Sequence, residues 1–145
     1  MNLVDANVLI YAVDTSAPHH RAAKRWLDDA LSGPGPVLLP WISLLAFVRI
    51  VTHPRIYSSP VPVDVALDVV DLWLSSPAAV IPEGAPSTAG ALREHLRATG
   101  IGGNLVNDAF LAALARARRA TVVTFDSDFG RFPGVEWMTP SESPE

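Results

Sequence analysis

The chain has 145 residues, of which 49% are hydrophobic, and it contains no cysteine. This length fits one compact domain that buries about two thirds of its unfolded surface. The lack of cysteine excludes a disulfide framework, thiol catalysis and a zinc ribbon. The formal net charge of −4 is unfavourable for holding nucleic acid through phosphate contacts, unless several acidic side chains are metal ligands.

Apolar runs at strand spacing alternate with segments at helical spacing along the whole chain. In chain order, they predict strands over residues 1–5, 37–39, 78–81, 121–124 and 135–138. The predicted helices cover residues 6–14, 19–31, 42–52, 63–75, 87–98 and 104–120. Strands that alternate with helices favour a parallel sheet covered on both faces, which is an α/β fold.

The ends of the predicted elements carry further expectations. Ser87 or Thr88 is placed to cap the fifth helix, and Asn104 is placed to cap the sixth. Residues 1–140 are predicted to form one domain, and residues 141–145 a frayed tail. No run of about 20 apolar residues could span a membrane. Because Asp5 also interrupts the first apolar run too early for a secretion signal, we expect a cytoplasmic protein.

Four aspartates lie where such a fold would bring them together. Asp5 ends the first strand, Asp126 and Asp128 follow the fourth, and Asp108 lies in the first turn of the last helix. Ligands of an open parallel sheet bind outside the carboxyl ends of its strands. Several carboxylates in one pocket repel one another unless a cation neutralises them, and oxygen ligands without His or Cys suit Mg²⁺ or Mn²⁺. The sequence therefore predicts a site for one or two divalent cations.

Most of these polar side chains also have a purely structural interpretation. Asp5 and Asn7 could cap the first helix, Asp128 could cap the turn after it, and Asp126 could satisfy a turn after its strand. Asp108 is harder to explain in this way, since it lies on an otherwise apolar helical stripe and a buried carboxylate without a partner is costly. The shared position of all four at one end of the sheet favours the metal site.

Basic residues and histidines offer no comparable constellation. The basic residues form three groups, around residues 19–25, 93–97 and 116–119, and each group is typical of a solvated helix face. The four histidines lie outside the acidic segments, and we expect surface positions for His19, His20, His53 and His95. An all-carboxylate site would make the metal, rather than a histidine, the activator of water.

Three segments resemble the acidic motifs of PIN domains: Asp5-x-Asn7 after the first strand, Asn107-Asp108-Ala109-x-Leu111-Ala112-Ala113-Leu114-Ala115 in the sixth helix, and Thr124-x-Asp126-x-Asp128-Phe129 after the fourth strand. Residues 41–49 and 131–137 resemble the VapC toxins of bacterial VapBC toxin–antitoxin pairs. The resemblance covers nearly the whole chain. It implies a PIN-like three-layer sandwich, in which helices flank a central, mostly parallel sheet.

The same resemblance implies the toxin of a type II toxin–antitoxin pair. This would be a Mg²⁺-dependent endoribonuclease, with Mn²⁺ as a substitute, that uses metal-activated water and leaves 5′-phosphate and 3′-hydroxyl ends. The expected catalytic and metal-binding residues are Asp5, Asp108, Asp126 and Asp128, with Asn7 and Thr124 orienting them. Asp128 would be either a metal ligand or the base that orients the water.

The resemblance also implies partners other than RNA. Relatives form homodimers and are inhibited by a small VapB-like antitoxin whose tail wraps the toxin. Three large aromatic residues on apolar helices, Trp41, Phe47 and Trp73, either supply such contact surfaces or belong to the core.

One position departs from the family pattern. Relatives carry an acidic residue, mostly Glu, on the helix after the second strand, and here that place falls at Ala46, with no Asp or Glu between Asp29 and Asp64. A missing carboxylate would weaken metal affinity or remove a second metal ion, which leaves open a catalytically weak domain that binds RNA or a partner. A phosphatase of the haloacid-dehalogenase type is disfavoured, because it needs a second Asp where Asn7 stands and a late Lys, whereas the only lysine is Lys24.

Overall fold

A computed structural model describes residues 1–100 and 102–141 of the chain. Its sheet has five strands in the order β3-β2-β1-β4-β5, and all of the pairings are parallel. The strands are β1 (Asn2–Val4), β2 (Val37–Leu38), β3 (Ala79–Val80), β4 (Thr121–Val123) and β5 (Glu136–Met138). The predicted parallel sheet is confirmed. Apart from Ser141, the predicted frayed tail lies outside the described residues.

Six helices connect the strands, as the sequence predicts. They are α1 (Ala6–Val13), α2 (His20–Ser32), α3 (Trp41–Val51), α4 (Val63–Leu74), α5 (Thr88–Thr99) and α6 (Leu105–Ala117). A short 3-10 helix, Ser127–Arg131, follows β4 and was not predicted. Within the described ranges, no helix combines the length and the apolar character needed to cross a membrane.

Successive side chains of each strand pack alternately into two separate hydrophobic cores, one on each face of the sheet. Val4 and Val123 pack in the core formed with α1 to α4, whereas Leu3 and Val122 pack in the core formed with α6. Successive residues of a strand point to opposite faces, so the continuous apolar runs of the sequence reflect burial on both sides. The resulting arrangement of helices, sheet and helices is the three-layer α/β sandwich expected of a PIN-like fold.

Two predicted helix caps stand at the N-cap positions of α5 and α6 but do not make the expected capping hydrogen bonds. Ser87 and Asn104 both have right-handed helical backbone angles, and neither side chain makes a capping hydrogen bond. A capping side chain needs the extended backbone that precedes a helix, which these two residues lack. The Thr88 hydroxyl instead accepts a 2.9 Å hydrogen bond from the N–H of Ala85, ahead of α5.

Helix α6 ends earlier than its periodicity suggests. The predicted helix runs to Ala120, but the observed one ends at Ala117, because Arg119 adopts a left-handed conformation with φ of 54°. The N–H of Ala120 then donates to the carbonyl of Ala115 at 2.8 Å. This closes the helix and turns the chain directly into β4.

Candidate functional site

The predicted acidic site lies beside the two central strands. Asp5 directly follows β1 and Thr124 directly follows β4, and these strands are neighbours at the point where the order of the sheet reverses. The N–H of Asp5 donates to the carbonyl of Val123 at 3.0 Å, which extends the ladder to the end of both strands. Asp108 reaches the same region from the first turn of α6. This is the switch point at which parallel sheets bind ligands.

Asp5 is buried and fully engaged in hydrogen bonds. Its Oδ1 accepts from the N–H of Ala6 at 2.7 Å, which caps α1 as the structural interpretation expects. Its Oδ2 accepts from the Thr124 hydroxyl at 2.8 Å and from the Asn7 amide at 3.2 Å. Burial raises the pKa of Asp5 above 3.8, although the hydrogen bonds from Thr124 and Ala6 oppose this. These contacts hold the carboxylate in one orientation.

Asn7 and Thr124 connect the loop after β4 to the start of α1. The Asn7 amide donates to the Thr124 hydroxyl at 3.2 Å, and its carbonyl oxygen accepts from the N–H of Phe125 at 3.1 Å. The Thr124 hydroxyl also accepts from the N–H of Asp126 at 3.0 Å. Two polar side chains thus fix the position of Asp5 relative to the backbone of Asp126, and the Thr124 hydroxyl is completely buried.

Asp126 and Asp128 are less constrained than Asp5. Asp126 Oδ1 accepts from the N–H of Asp128 at 2.9 Å and so caps the 3-10 helix, which agrees with the turn interpretation of Asp126. Asp128 lies inside that helix and does not cap it. Among residues 1–100 and 102–141, no group donates a hydrogen bond to the second oxygen of Asp126 or to the carboxylate of Asp128.

Asp108 is the aspartate of the site whose pKa the neighbouring carboxylates raise most clearly. Its pKa is raised to about 7, first by desolvation and then by the negative charges of Asp5, Asp126 and Asp128. No hydrogen bond from the described part of the chain reaches its carboxylate. The charges of Asp5, Asp126 and Asp128 therefore act on Asp108, and none of the four aspartates forms an ion pair with a basic residue of the described ranges.

The donor set fits a hard divalent cation, because it consists of carboxylate oxygens in a partly desolvated place with excess negative charge. As placed, however, no three acidic or histidine side chains of the described ranges are close enough together to hold a metal ion. Coordination would therefore require side-chain rotations of Asp108, Asp126 or Asp128, each of which has at least one carboxylate oxygen without a hydrogen bond from the described residues.

Ala46, the position at which the family resemblance implies an acid, does not lie in the core. It is half-buried on α3 and lines an open groove of about 540 Å³. The other lining residues are Ile42, Leu45, Val48, Arg49 and Asn107. Since Asn107 directly precedes Asp108, the groove reaches the acidic end of the molecule, and a longer side chain at position 46 would have space there.

Two features of this structure were not predicted from the sequence. His95 was expected at the surface, but it is completely buried against Phe132 with a ring-centroid distance of 5.4 Å, and neither ring nitrogen has a hydrogen-bond partner among residues 1–100 and 102–141. A cluster of three rings, Tyr11, His19 and Phe125, lies directly beside the acidic site. The only sequence signal for this cluster is the position of Phe125 between Thr124 and Asp126.

Comparison with known proteins identifies relatives over nearly the entire chain. The profile of the PIN domain family matches residues 3–135. Ribonuclease VapC37 of Mycobacterium tuberculosis is 49% identical over 140 residues, which cover 97% of both chains. Ribonuclease VapC33 of the same species is 33% identical over 140 residues, covering 97% of this chain and 98% of VapC33.

Solved structures confirm the fold independently of sequence identity. A chain of VapBC2 from Rickettsia felis, crystallised with a DNA fragment from its promoter, aligns with a TM-score of 0.71 at 22% identity. The alignment covers 97% of this chain and 98% of that one. VapC20 of Mycobacterium tuberculosis, a Sarcin-Ricin loop cleaving toxin, aligns with a TM-score of 0.68 at 19% identity, covering 94% and 99%.

Proposed function

Because the chain belongs to the PIN domain family and to its VapC branch, we propose that it is a metal-dependent endoribonuclease that acts as the toxin of a toxin–antitoxin pair. The observation that carries this proposal is the unbalanced negative charge around Asp108, where three further aspartates raise its pKa. Excess carboxylate charge at the switch point of a parallel sheet is expected of a cation site, and structural roles do not require it.

Asp5, Asp108 and Asp126 would hold Mg²⁺, with Mn²⁺ as a substitute, and Asp128 would complete the site. A divalent cation bound there would lower the pKa of a water molecule and neutralise negative charge on the phosphate. Asp128 has no hydrogen bond from the described residues, so its carboxylate is available to accept a hydrogen bond from the attacking water. The water oxygen forms the new bond to phosphorus and the bond from phosphorus to the 3′ oxygen breaks, which yields a 5′-phosphate and a 3′-hydroxyl.

Asn7 and Thr124 position the reactive groups without touching the RNA. The Thr124 hydroxyl donates to Asp5 Oδ2 and accepts from the N–H of Asp126, so it keeps these two aspartates in register. Asn7 adds a second hydrogen bond to Asp5 Oδ2. A carboxylate that hydrogen bonds already hold in one orientation loses little conformational freedom when it binds a cation. Residues that donate such hydrogen bonds, here Asn7 and Thr124, therefore raise metal affinity and activity.

The proposal includes a VapB-like antitoxin, a homodimer and a cytoplasmic location, where RNA and antitoxin are both made. Similarity to chains from VapBC structures supports the antitoxin. Of the three aromatic residues suggested for contact surfaces, Phe47 and Trp73 pack against each other in the core at a centroid distance of 4.8 Å. Trp41 is 47% exposed on α3, next to Leu45, which is 61% exposed, so this helix offers the apolar surface.

A second candidate function rests on Ala46. With no acid there, the domain would bind RNA or a partner and cut RNA slowly or not at all. The open groove beside Ala46 and Asn107 is compatible with such binding. The two candidates differ in one measurable quantity, the metal-dependent rate of RNA cleavage.

The deciding experiment is cleavage of total bacterial RNA by purified protein with Mg²⁺, with mapping of the new 5′ ends. We expect cleavage that stops with EDTA and in Asp5→Asn, a variant that keeps the size of the side chain and removes its charge. Asp68→Asn, on the exposed side of α4, is the matched control and should cleave normally. Normal cleavage by Asp5→Asn or in EDTA would refute the metal mechanism, and RNA binding without cleavage by the unmodified chain would favour the second candidate.

A further inference from the structure

Three aromatic rings form a cluster that joins α1 and the residue before α2 to Phe125, which lies between Thr124 and Asp126. The imidazole of His19 stacks on Phe125 with centroids 4.5 Å apart and an interplanar angle of 14°. Tyr11 contacts both rings from the side, at 5.9 Å from His19 and 5.4 Å from Phe125. Phe125 and Tyr11 are half-buried, whereas His19 is exposed. The outermost ring of the cluster is thus flat, held from below and accessible to solvent.

Neighbouring contacts keep these rings in place. The N–H of Phe125 donates to Asn7 Oδ1, the same side chain that contacts Asp5. Nδ1 of His20 is 2.8 Å from the carbonyl oxygen of Tyr11, which attaches the start of α2 to α1. The cluster is therefore connected to the aspartates through one residue, Asn7, and it has no need to rearrange before it meets a ligand.

The charge near the cluster has the opposite sign to that of the acidic site. Arg21 and Arg25 follow His19 on the first turns of α2, both are exposed, and neither forms an ion pair with a residue of the described ranges. Lys24, between them, pairs with Asp28 at 2.6 Å. Two exposed guanidinium groups on the helix that starts directly after an exposed ring are a combination that suits single-stranded nucleic acid, through phosphates and base stacking respectively.

We propose that His19, supported by Phe125 and Tyr11, is a stacking platform for one nucleobase of single-stranded RNA next to the bond that is cut, and that Arg21 and Arg25 bind the adjoining phosphates. This inference rests on the proposed ribonuclease function and adds the residues that position the RNA, which must be single-stranded here because a duplex cannot offer an unstacked base. Stacking tolerates every base, so the platform sets the strandedness and register of the substrate and leaves its sequence to other contacts.

The test uses binding, which does not depend on cleavage. In the Asp5→Asn background, a single-stranded oligouridine RNA with one 2-aminopurine at successive positions is titrated with protein. Stacking on His19 should quench the fluorescence at one position. His19→Ala should abolish the quenching and weaken binding by about tenfold, because stacking on one side chain contributes roughly 1–3 kcal/mol per base. His19→Phe keeps a flat ring and should retain both signals.

The arginines are tested by salt dependence. Arg21→Gln and Arg25→Gln should each lower the slope of log affinity against log salt by about 0.7, which is the contribution of one phosphate contact with a single strand. Arg118→Gln is the matched control, because Arg118 is also exposed but lies at the far end of α6 from Asp108. It should leave the slope unchanged.

The outcomes separate this inference from the proposed function. If the unmodified protein cuts RNA but no position is quenched, or if His19→Ala binds as tightly, then the stacking platform is wrong and the ribonuclease stands. If His19→Phe fails as completely as His19→Ala, the imidazole acts by hydrogen bonding and the platform is also wrong. If the unmodified protein neither cuts nor binds RNA, both proposals are wrong. Equal melting temperatures of the His19 variants are required for each comparison.

Discussion

Asp108, which is half-buried, and His95, which is completely buried, are two titratable side chains without a hydrogen-bond partner among the described residues. Around Asp108 the neighbours are three further carboxylates, which raise its pKa in addition to desolvation. His95 packs against the ring of Phe132, and its pKa is lowered first by desolvation and then by the charge of Arg116, with Glu94 opposing. Like charges that accumulate need a ligand to balance them, whereas a desolvated imidazole is stable as long as it stays neutral. The difference separates a site for a cation from a part of the core.

The largest effect is expected from Asp108→Asn. Loss of a residue that only orients a metal ligand typically lowers activity by about 10- to 100-fold. Asp108→Asn removes a proposed metal ligand itself, so the rate of cleavage should fall by more than this. Asp64→Asn is the matched control, since Asp64 also lies in the first turn of a helix but is exposed and outside the acidic site. Initial rates of RNA cleavage measure both. A rate near that of the unmodified protein would place Asp108 outside the metal site.

The same variant should stabilise the protein in EDTA, with a definite pH dependence. The pKa of Asp108 is about 7 in the folded state and 3.8 without perturbation, so the folded state holds its proton longer than the unfolded state. The free energy of unfolding of the unmodified protein therefore falls as pH rises from about 4 to about 7. Denaturation at pH 5 and pH 8 should show a larger gain for Asp108→Asn at pH 8, and an equal gain at both would contradict the raised pKa.

A smaller effect is expected from Thr124→Val, which keeps the shape of the side chain and removes its hydroxyl. Asp5 Oδ2 loses its 2.8 Å hydrogen bond and the N–H of Asp126 loses its acceptor. We expect cleavage to fall about 10- to 100-fold, mainly through weaker Mg²⁺ binding. Thr139→Val is the control, since it removes a single 2.9 Å hydrogen bond to the Thr124 carbonyl and leaves Asp5 untouched. Similar Mg²⁺ dependence in both variants would argue against an orienting role for Thr124.

His95→Leu tests the other region and should raise stability by about 1 kcal/mol at pH 7, because two unsatisfied ring nitrogens are removed at the cost of one aromatic contact. His95 has a pKa below 6.5 in the folded state, so the unfolded state binds a proton first as pH falls. Its contribution to the free energy of unfolding is lost on acidification below about pH 6.5. The gain from His95→Leu should therefore grow towards pH 5, and thermal melts at two pH values would show this. Unchanged RNA cleavage would confirm that His95 is structural.

The smallest effect is expected from Ala46→Glu. The groove beside Ala46 has space for a longer side chain, and a further carboxylate should lower the Mg²⁺ concentration for half-maximal cleavage by roughly tenfold. The gain should disappear when this change is combined with Asp5→Asn, since both act on one site. A loss of stability with unchanged metal dependence would show that position 46 is not the place of the family's acid.

The local sequence pattern was sufficient to predict an element wherever the spacing of its apolar residues matches the faces that are buried in the fold. The apolar runs at β1 and β4 are buried on both faces, and the segments around them repeat at helical spacing, so the α/β order and the ends of most elements could be predicted. Asp5 and Asp126 follow strands that become neighbours, which is why the sequence could predict that they lie at one end of the sheet, where their charges raise the pKa of Asp108. The caps at Ser87 and Asn104 failed because capping depends on backbone angles that the residue type does not reveal.

By itself, the sequence determined the layer order of the fold and the end of the sheet where carboxylates collect, because hydrophobic period and strand ends are properties of neighbouring residues. Only the tertiary structure decided the burial of His95 and the stacking of His19 on Phe125, which brings together residues 106 positions apart (125 − 19). Such contacts depend on how α2, α5 and α6 pack against the sheet, and no local pattern records that packing. The Asp108 pKa of about 7 is likewise decided by the tertiary structure, because desolvation and the charges of Asp5, Asp126 and Asp128 act on Asp108 only in the folded chain.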